Sequence, residues 1–175
     1  MATSKTSYLD RVAIEVAMVC GVGRIKKAPG TFGSIPGLLV GWYQHRLATV
    51  AGTQLGSWAY PLTLLLLLGI TVAIAWWSIA RTEHVLGIHD DQRIVIDEVA
   101  GQAVAVCALP LAWPWYLAAF CLFRLLDITK PGLIGRIDRD APGAFGTLMD
   151  DVLAGVVAAA MLLGALYFMP SSMLG

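Results

Sequence analysis

At 175 residues the chain has room for one domain, 1–175, and not for two comfortable ones. Its residues are 58% apolar and only 14% charged, with a mean hydropathy of +0.72, whereas a domain that faces water carries about 25% charged residues. An ordinary soluble domain is thereby excluded, and a net charge of zero gives no electrostatic reason to expect nucleic acid.

The few charges are segregated. Asp, Glu, Lys and Arg are absent from 47–80, from 99–123 and from 152–175. Each run exceeds the about 20 helical residues that cross a hydrocarbon core of about 30 Å. The expected class is an all-α, multi-pass helical membrane bundle. Cys20, Cys107 and Cys121 lie in apolar stretches without paired spacing, as small packing residues do. Glu15 interrupts the short apolar stretch 12–22, so a cleaved signal peptide is not expected. No internal repeat or low-complexity linker is visible.

In chain order, residues 8–20 form a weakly amphipathic segment with Asp10, Arg11 and Glu15, suited to an interfacial helix. A glycine-rich turn follows over 21–34. The first membrane candidate, 35–51, is interrupted by glycines and Pro36. The second, 61–80, is clear, with a leucine run at 64–68 and the Trp76-Trp77 pair at an interfacial end. A charged stretch fills 81–98. Residues 94–109 read as a helix that stops near Pro110, and 113–128 resume after Trp113-Pro114. The final helix is expected over 150–168.

The 110–114 stretch decides the topology. A single span there would put Lys130, Arg136 and Arg139 across the membrane from Arg24, Lys26 and Lys27, against the preference of short basic loops for the cytoplasm. A hairpin turned by the prolines instead puts every charged cluster on the cytoplasmic face, with Ser171-Ser172 outside. About five apolar helices result.

Three acidic groupings stand out. Asp97-Glu98 opens one apolar helix, and Asp150-Asp151 opens another. Arg124 and Asp127 share a helical face three residues apart, and Lys130 follows just before Pro131. Helix capping and the macrodipole, worth about 0.3–1 kcal/mol, account for one acid per helix start. They account poorly for a doubled acid at the edge of an apolar phase, where charge is costly. If the helix ends meet, Asp97, Glu98, Asp127, Asp150 and Asp151 face only Arg124 and Lys130, an excess of about three negative charges that calls for a cation. Carboxylate oxygens without a Cys or His set suit Mg²⁺ before Zn²⁺, and a metal beside an Arg and a Lys suits a phosphate. Thr31 and Ser34, in the Gly30-Thr31-Phe32-Gly33-Ser34 turn, are candidate phosphate contacts or helix caps. No Walker A Lys-Ser/Thr follows that turn.

His84 and His89 flank Gly87. His89-Asp90-Asp91 is either a source of a ligand or proton carrier or a solvated loop. Asp138-Arg139-Asp140 lacks the sheet and downstream Thr of an aspartyl-phosphate motif.

Several of these stretches resemble the phosphatidylglycerophosphatase A family of bacterial membrane lipid phosphatases. They are Ala28-Pro29-Gly30-Thr31-Phe32-Gly33-Ser34, then Ile94-Val95-Ile96-Asp97-Glu98 with Gly101. Phe123-Arg124 through Lys130-Pro131 and Asp150-Asp151 with Ala154-Gly155 complete the pattern. Gly87-Ile88-His89-Asp90 and Asp138-Arg139 also match, and the resemblance runs from about residue 21 to 157. It implies an all-helical fold with one central helix enclosed by the others. It also implies Mg²⁺-dependent removal of the terminal phosphate of phosphatidylglycerophosphate; with the topology above, the expected location is the bacterial inner membrane, the site facing the cytoplasm. By motif, Asp97, Glu98, Asp127, Asp150 and Asp151 form the acidic centre, and Arg124 and Lys130 contact the phosphate.

The expected chemistry is metal-assisted hydrolysis with Glu98 as base; an aspartyl-phosphate on Asp97 or Asp151 is the alternative route. A cation- or proton-coupled transporter is the rival from another class. The strings expected of alcohol phosphotransferases (Asp-Gly-x-x-Ala-Arg) and histidine lipid phosphatases (Ser-Gly-His) are absent.

Overall fold

A computed structural model describes residues 7–89 and 91–169 of the chain. The expectations placed on Ser171, Ser172 and Asp90 lie outside the described residues. Among those described the fold is all-α: α1 (Tyr8–Ala17), α2 (Pro29–Leu55), α3 (Ala59–Leu86), α4 (Ile96–Val106), α5 (Trp113–Thr129), α6 (Leu133–Asp140) and α7 (Gly143–Phe168).

α4 is the central helix. Asp97 and every residue from Val99 to Val106 are buried, with α2, α3, α5 and α7 packed around them. Its small side chains allow this close approach. On α2, Gly33, Gly37 and Gly41 recur every four residues and so share one face. A Cβ on Gly33 would lie 2.8 Å from Val95 Cβ, and one on Gly37 would lie 2.7 Å from Gln102 Cβ. The glycines expected to interrupt 35–51 therefore form the stripe on which α4 sits. α2 runs unbroken through Pro36, and no turn occupies 29–34.

Other boundaries also shift. α3 continues through the charged residues Arg81 and Glu83. α7 begins at Gly143, so Asp150-Asp151 lies about two turns inside the helix instead of opening it. Acids there are tolerated because α4 and α5 bring cationic and helix-terminal partners to the same place.

The chain reverses between α4 and α5. Glu98 at the start of α4 lies 3.8 Å from Arg124 near the end of α5, and the turn residue Leu109 is buried in one apolar cluster with Ala119 and Phe123. The ion pairs Asp10–Arg81, Glu15–Arg24 and Asp91–Arg93 gather around the site end of the bundle.

Among the described residues two helices pass as membrane spans by length and composition, and the expected total of about five apolar helices is not confirmed. α3 and α7 are long and apolar enough to cross a hydrocarbon core, and only 22% and 28% of their most apolar windows are buried within the protein. α3 instead turns Leu62, Leu65, Leu66, Ile70 and Ile74 outward. Such a surface suits lipid and is costly in water. α4, with 11 residues, rises about 16 Å, half of a hydrocarbon core. Its apolarity comes from burial among other helices. Of the three cysteines, only Cys107 is buried.

Candidate active site

Four chain segments converge on one cavity of about 390 Å³ at the charged end of the bundle. The start of α4 supplies Asp97 and Glu98, and Asp97 Oδ1 accepts the Glu98 backbone N–H at 3.1 Å. The end of α5 supplies Arg124, Asp127 and Lys130. α7 supplies Asp150 and Asp151. Ala28, Pro29 and Gly30 bring the N-terminus of α2 to the same wall, where its dipole favours an anion.

Local backbone chemistry sets the α5 contribution. Pro131 disfavours a helical conformation for the residue before it. Lys130 caps the helix in the left-handed region, φ 43°, and donates its N–H to Leu126 O at 2.8 Å. From there its ammonium pairs with Asp138 of α6 and with Asp150. Burial alone would lower the Lys130 pKa, but its bonds to Asp138 and Asp150 prevail and hold it well above the ordinary lysine value. Arg124 pairs with Asp127 and lies 3.8 Å from Glu98. Across the cavity, the Arg93 guanidinium grips Asp91 at 2.9 and 2.6 Å and holds that carboxyl below its usual range.

The five acids fall into two overlapping groups. Oxygens of Asp97, Glu98 and Asp151 lie within 4.8 Å of one another, as do those of Asp127, Asp150 and Asp151. Asp151 belongs to both. Four of the five are no more than 9% exposed, and buried oxygens Glu98 Oε2 and Asp150 Oδ1 accept no hydrogen bond. Buried acceptors without a donor are costly, and a hard cation is the partner that several carboxylates can share.

All seven charged residues singled out in the sequence thus line one cavity. Thr31 and Ser34 do not. Ser34 is fully buried and donates its hydroxyl to Gly30 O at 2.9 Å inside α2, and Gly30 takes the place expected of them. Arg24 pairs with Glu15 outside the cavity. His89 and Asp91, open in the sequence to reading as a ligand source or a solvated loop, line the cavity, whereas sequence reasoning missed Asp138, Thr147 and Gln92 as lining residues. Asp138 had a signal in the Asp138-Arg139 match, and Thr147 in its position one helical turn before Asp150 and Asp151.

The sequence profile described as Phosphatidylglycerophosphatase A matches residues 15–166. The chain belongs to the phosphatidylglycerophosphatase A family. It is 33% identical to the phosphatidylglycerophosphatase A of Haemophilus influenzae over 94% of each chain. Against that of Escherichia coli the identity is 36% over 87% of this chain and 80% of the relative. A Bacteroides thetaiotaomicron protein whose name proposes a phosphatidylinositol-3-phosphatase is 34% identical over 78% of this chain and 82% of its own. No solved structure matches the chain. Family membership makes this protein a phosphatase.

Gly30 gives a direct test of the cavity wall. A Cβ there would collide with Glu98 Oε1 and come within 3.1 Å of an Arg124 guanidinium nitrogen. Gly30→Ala is expected to lower kcat/KM by about 10²-fold, as ångström-scale misplacement of catalytic groups does, with the melting temperature nearly unchanged. Steady-state phosphate release and thermal melting of the purified variant check this.

Proposed function

We propose that the protein removes the terminal phosphate from phosphatidylglycerophosphate, giving phosphatidylglycerol and inorganic phosphate in phospholipid biosynthesis. It does so as a Mg²⁺-dependent, multi-pass enzyme of the bacterial inner membrane, its site facing the cytoplasm. The observation that carries this reading is the meeting of five carboxylates with Arg124 and Lys130 in one cavity of a chain whose relatives are named for that activity. A cavity of about 390 Å³ suits a phosphorylated head group and is too small for the whole lipid. The acyl chains lie sideways among the helices.

The donor set fits Mg²⁺: oxygens only, clustered, with two buried acceptors unpartnered. Asp97, Glu98 and Asp151 in one group, and Asp127, Asp150 and Asp151 in the other, would hold it. When bound, Mg²⁺ offsets negative charge on the phosphoryl oxygens. Arg124 and Lys130 bind the phosphate from the α5 side and keep it in line for attack. Glu98 accepts the proton of the attacking water. Phosphomonoester hydrolysis is among the slowest uncatalysed reactions, with enzymatic accelerations reaching about 10²¹-fold, so charge stabilisation dominates the chemistry.

The transporter reading loses its basis. Carriers place their acids near mid-membrane at broken helices, whereas these lie by the charged loops at one end of the bundle, and the family is one of phosphatases.

Purified protein in detergent is expected to release phosphate from phosphatidylglycerophosphate with Mg²⁺, to stop in EDTA, and to recover when Mg²⁺ is restored in excess. No release with Mg²⁺ would sink the substrate assignment. Undiminished release in EDTA would sink the metal assignment alone.

A further inference from the structure

One wall of the cavity has no part in that scheme. His89, in the loop after α3, lines it, and its Nδ1 lies 2.8 Å from Glu83 Oε1. Thr147 of α7 reaches the same oxygen with its hydroxyl at 3.2 Å. The Glu83 side chain is 11% exposed and that of His89 56%, so a sheltered carboxylate anchors an open ring. A carboxylate only accepts, so Nδ1 carries the hydrogen of this bond, and Nε2 is the nitrogen left for a ligand.

The proposed reaction leaves one requirement unmet. Breaking the ester bond puts negative charge on a glycerol oxygen, a poor leaving group unless it receives a proton. Arg124 holds its protons too tightly to give one up, and the Lys130 ammonium is engaged by Asp138 and Asp150. The acids of α4, α5 and α7 serve the cation, and Asp91 is gripped by Arg93. Gln92 and Thr147 are not acids near neutrality. Imidazole is the side chain suited to give and regain a proton there.

We propose that His89, oriented by Glu83 and Thr147, is the general acid that protonates the departing glycerol oxygen. The inference rests on the phosphomonoesterase reading above. Water attacks phosphorus and its proton passes to Glu98. The electron pair of the breaking P–O bond goes to the glycerol oxygen, which takes the proton from His89 Nε2. Glu83 and Thr147 are positioning residues, since neither donates to the substrate. A carboxylate behind an imidazole fixes its tautomer and orientation and stabilises the imidazolium.

The test compares phosphatidylglycerophosphate with its analogue bearing sulfur in place of the scissile bridging oxygen, because a thiolate departs without a proton. Both are given to the full-length protein in detergent with Mg²⁺. His89→Gln is expected to lose about 10²-fold or more in kcat on the oxygen ester and less than about fivefold on the sulfur ester. Glu83→Gln should lose about tenfold on the oxygen ester alone. Equal losses on both substrates, or an unimpaired His89→Gln on the oxygen ester, would overturn the acid role while leaving the phosphatase reading intact. Wild-type protein that cleaves neither ester would overturn the phosphatase reading itself, and the acid role with it.

Discussion

Asp151→Asn is expected to cut phosphate release by about 10³-fold or more while leaving the protein folded and, without Mg²⁺, more heat-resistant. Asp151 is the carboxylate that both acidic groups share, so its loss depletes each at once. Asn matches it in size but presents an amide donor on one side, the wrong sign for a cation. Removing a group that stabilises charge in the transition state costs about 10²–10³-fold in known cases, and loss of a shared ligand belongs at or above that range. The stability effect runs the other way. Two carboxylate charges about as far apart as the 4.8 Å limit that these oxygens share repel by roughly 3 kcal/mol at an effective dielectric constant of 20. Neutralising the residue at the centre of the cluster relieves several such terms. Melting in EDTA should therefore rise, and the further rise produced by Mg²⁺ should shrink, since a ligand stabilises only in proportion to its binding. Asp97→Asn, in one group only, should likewise abolish measurable turnover with a smaller thermal gain. Full activity in either variant would remove that residue from the acidic centre. Loss of activity together with loss of fold would assign it to packing.

Much of this arrangement is legible in the sequence because charge is expensive in an apolar phase. Doubled acids beside apolar runs, such as Asp97-Glu98 and Asp150-Asp151, need a common partner, and the basic residues after Pro131 require the chain to turn back near Pro110. What escapes a one-dimensional reading depends on which face of a helix meets which neighbour. Gly33, Gly37 and Gly41 look like helix breakers until α4 is seen lying on them. Asp150-Asp151 looks like a helix start because acids are favoured there, yet the helix begins at Gly143. The apolar runs of α4 and α5 have the composition of membrane spans, although a central helix buried by its own protein has the same composition. Thr147 carries no periodic signal, and the sequence leaves His89 open between a proton carrier and a solvated loop. Only the folding of α3 against α7 places Glu83 between these two residues.

The same crossing of helices that hides Asp151 makes Gly101 a sensitive position outside the charged set. A Cβ on Gly101 would lie 2.5 Å from the backbone oxygen of Asp151 and 2.7 Å from Phe123 Cε2, and one on Gly155 would strike Gly101 O. At this point α4 and α7 meet backbone to backbone, and neither a carbonyl nor a buried ring can yield as a flexible side chain does. Gly101→Ala is therefore expected to push α7 outward. Overpacking of this kind costs about 1–3 kcal/mol, against about 1 kcal/mol of helix propensity that alanine returns. The displaced residue is Asp151, so activity should fall by about 10²-fold even in the molecules that remain folded. Gly69 of α3, with nothing within 4 Å of its added Cβ, is the matched control: Gly69→Ala should leave turnover unchanged and the melting temperature equal or higher. If Gly101→Ala behaved like Gly69→Ala in both melting and phosphate release, the close approach of α4 to α7 would not be what holds Asp151 in the cavity.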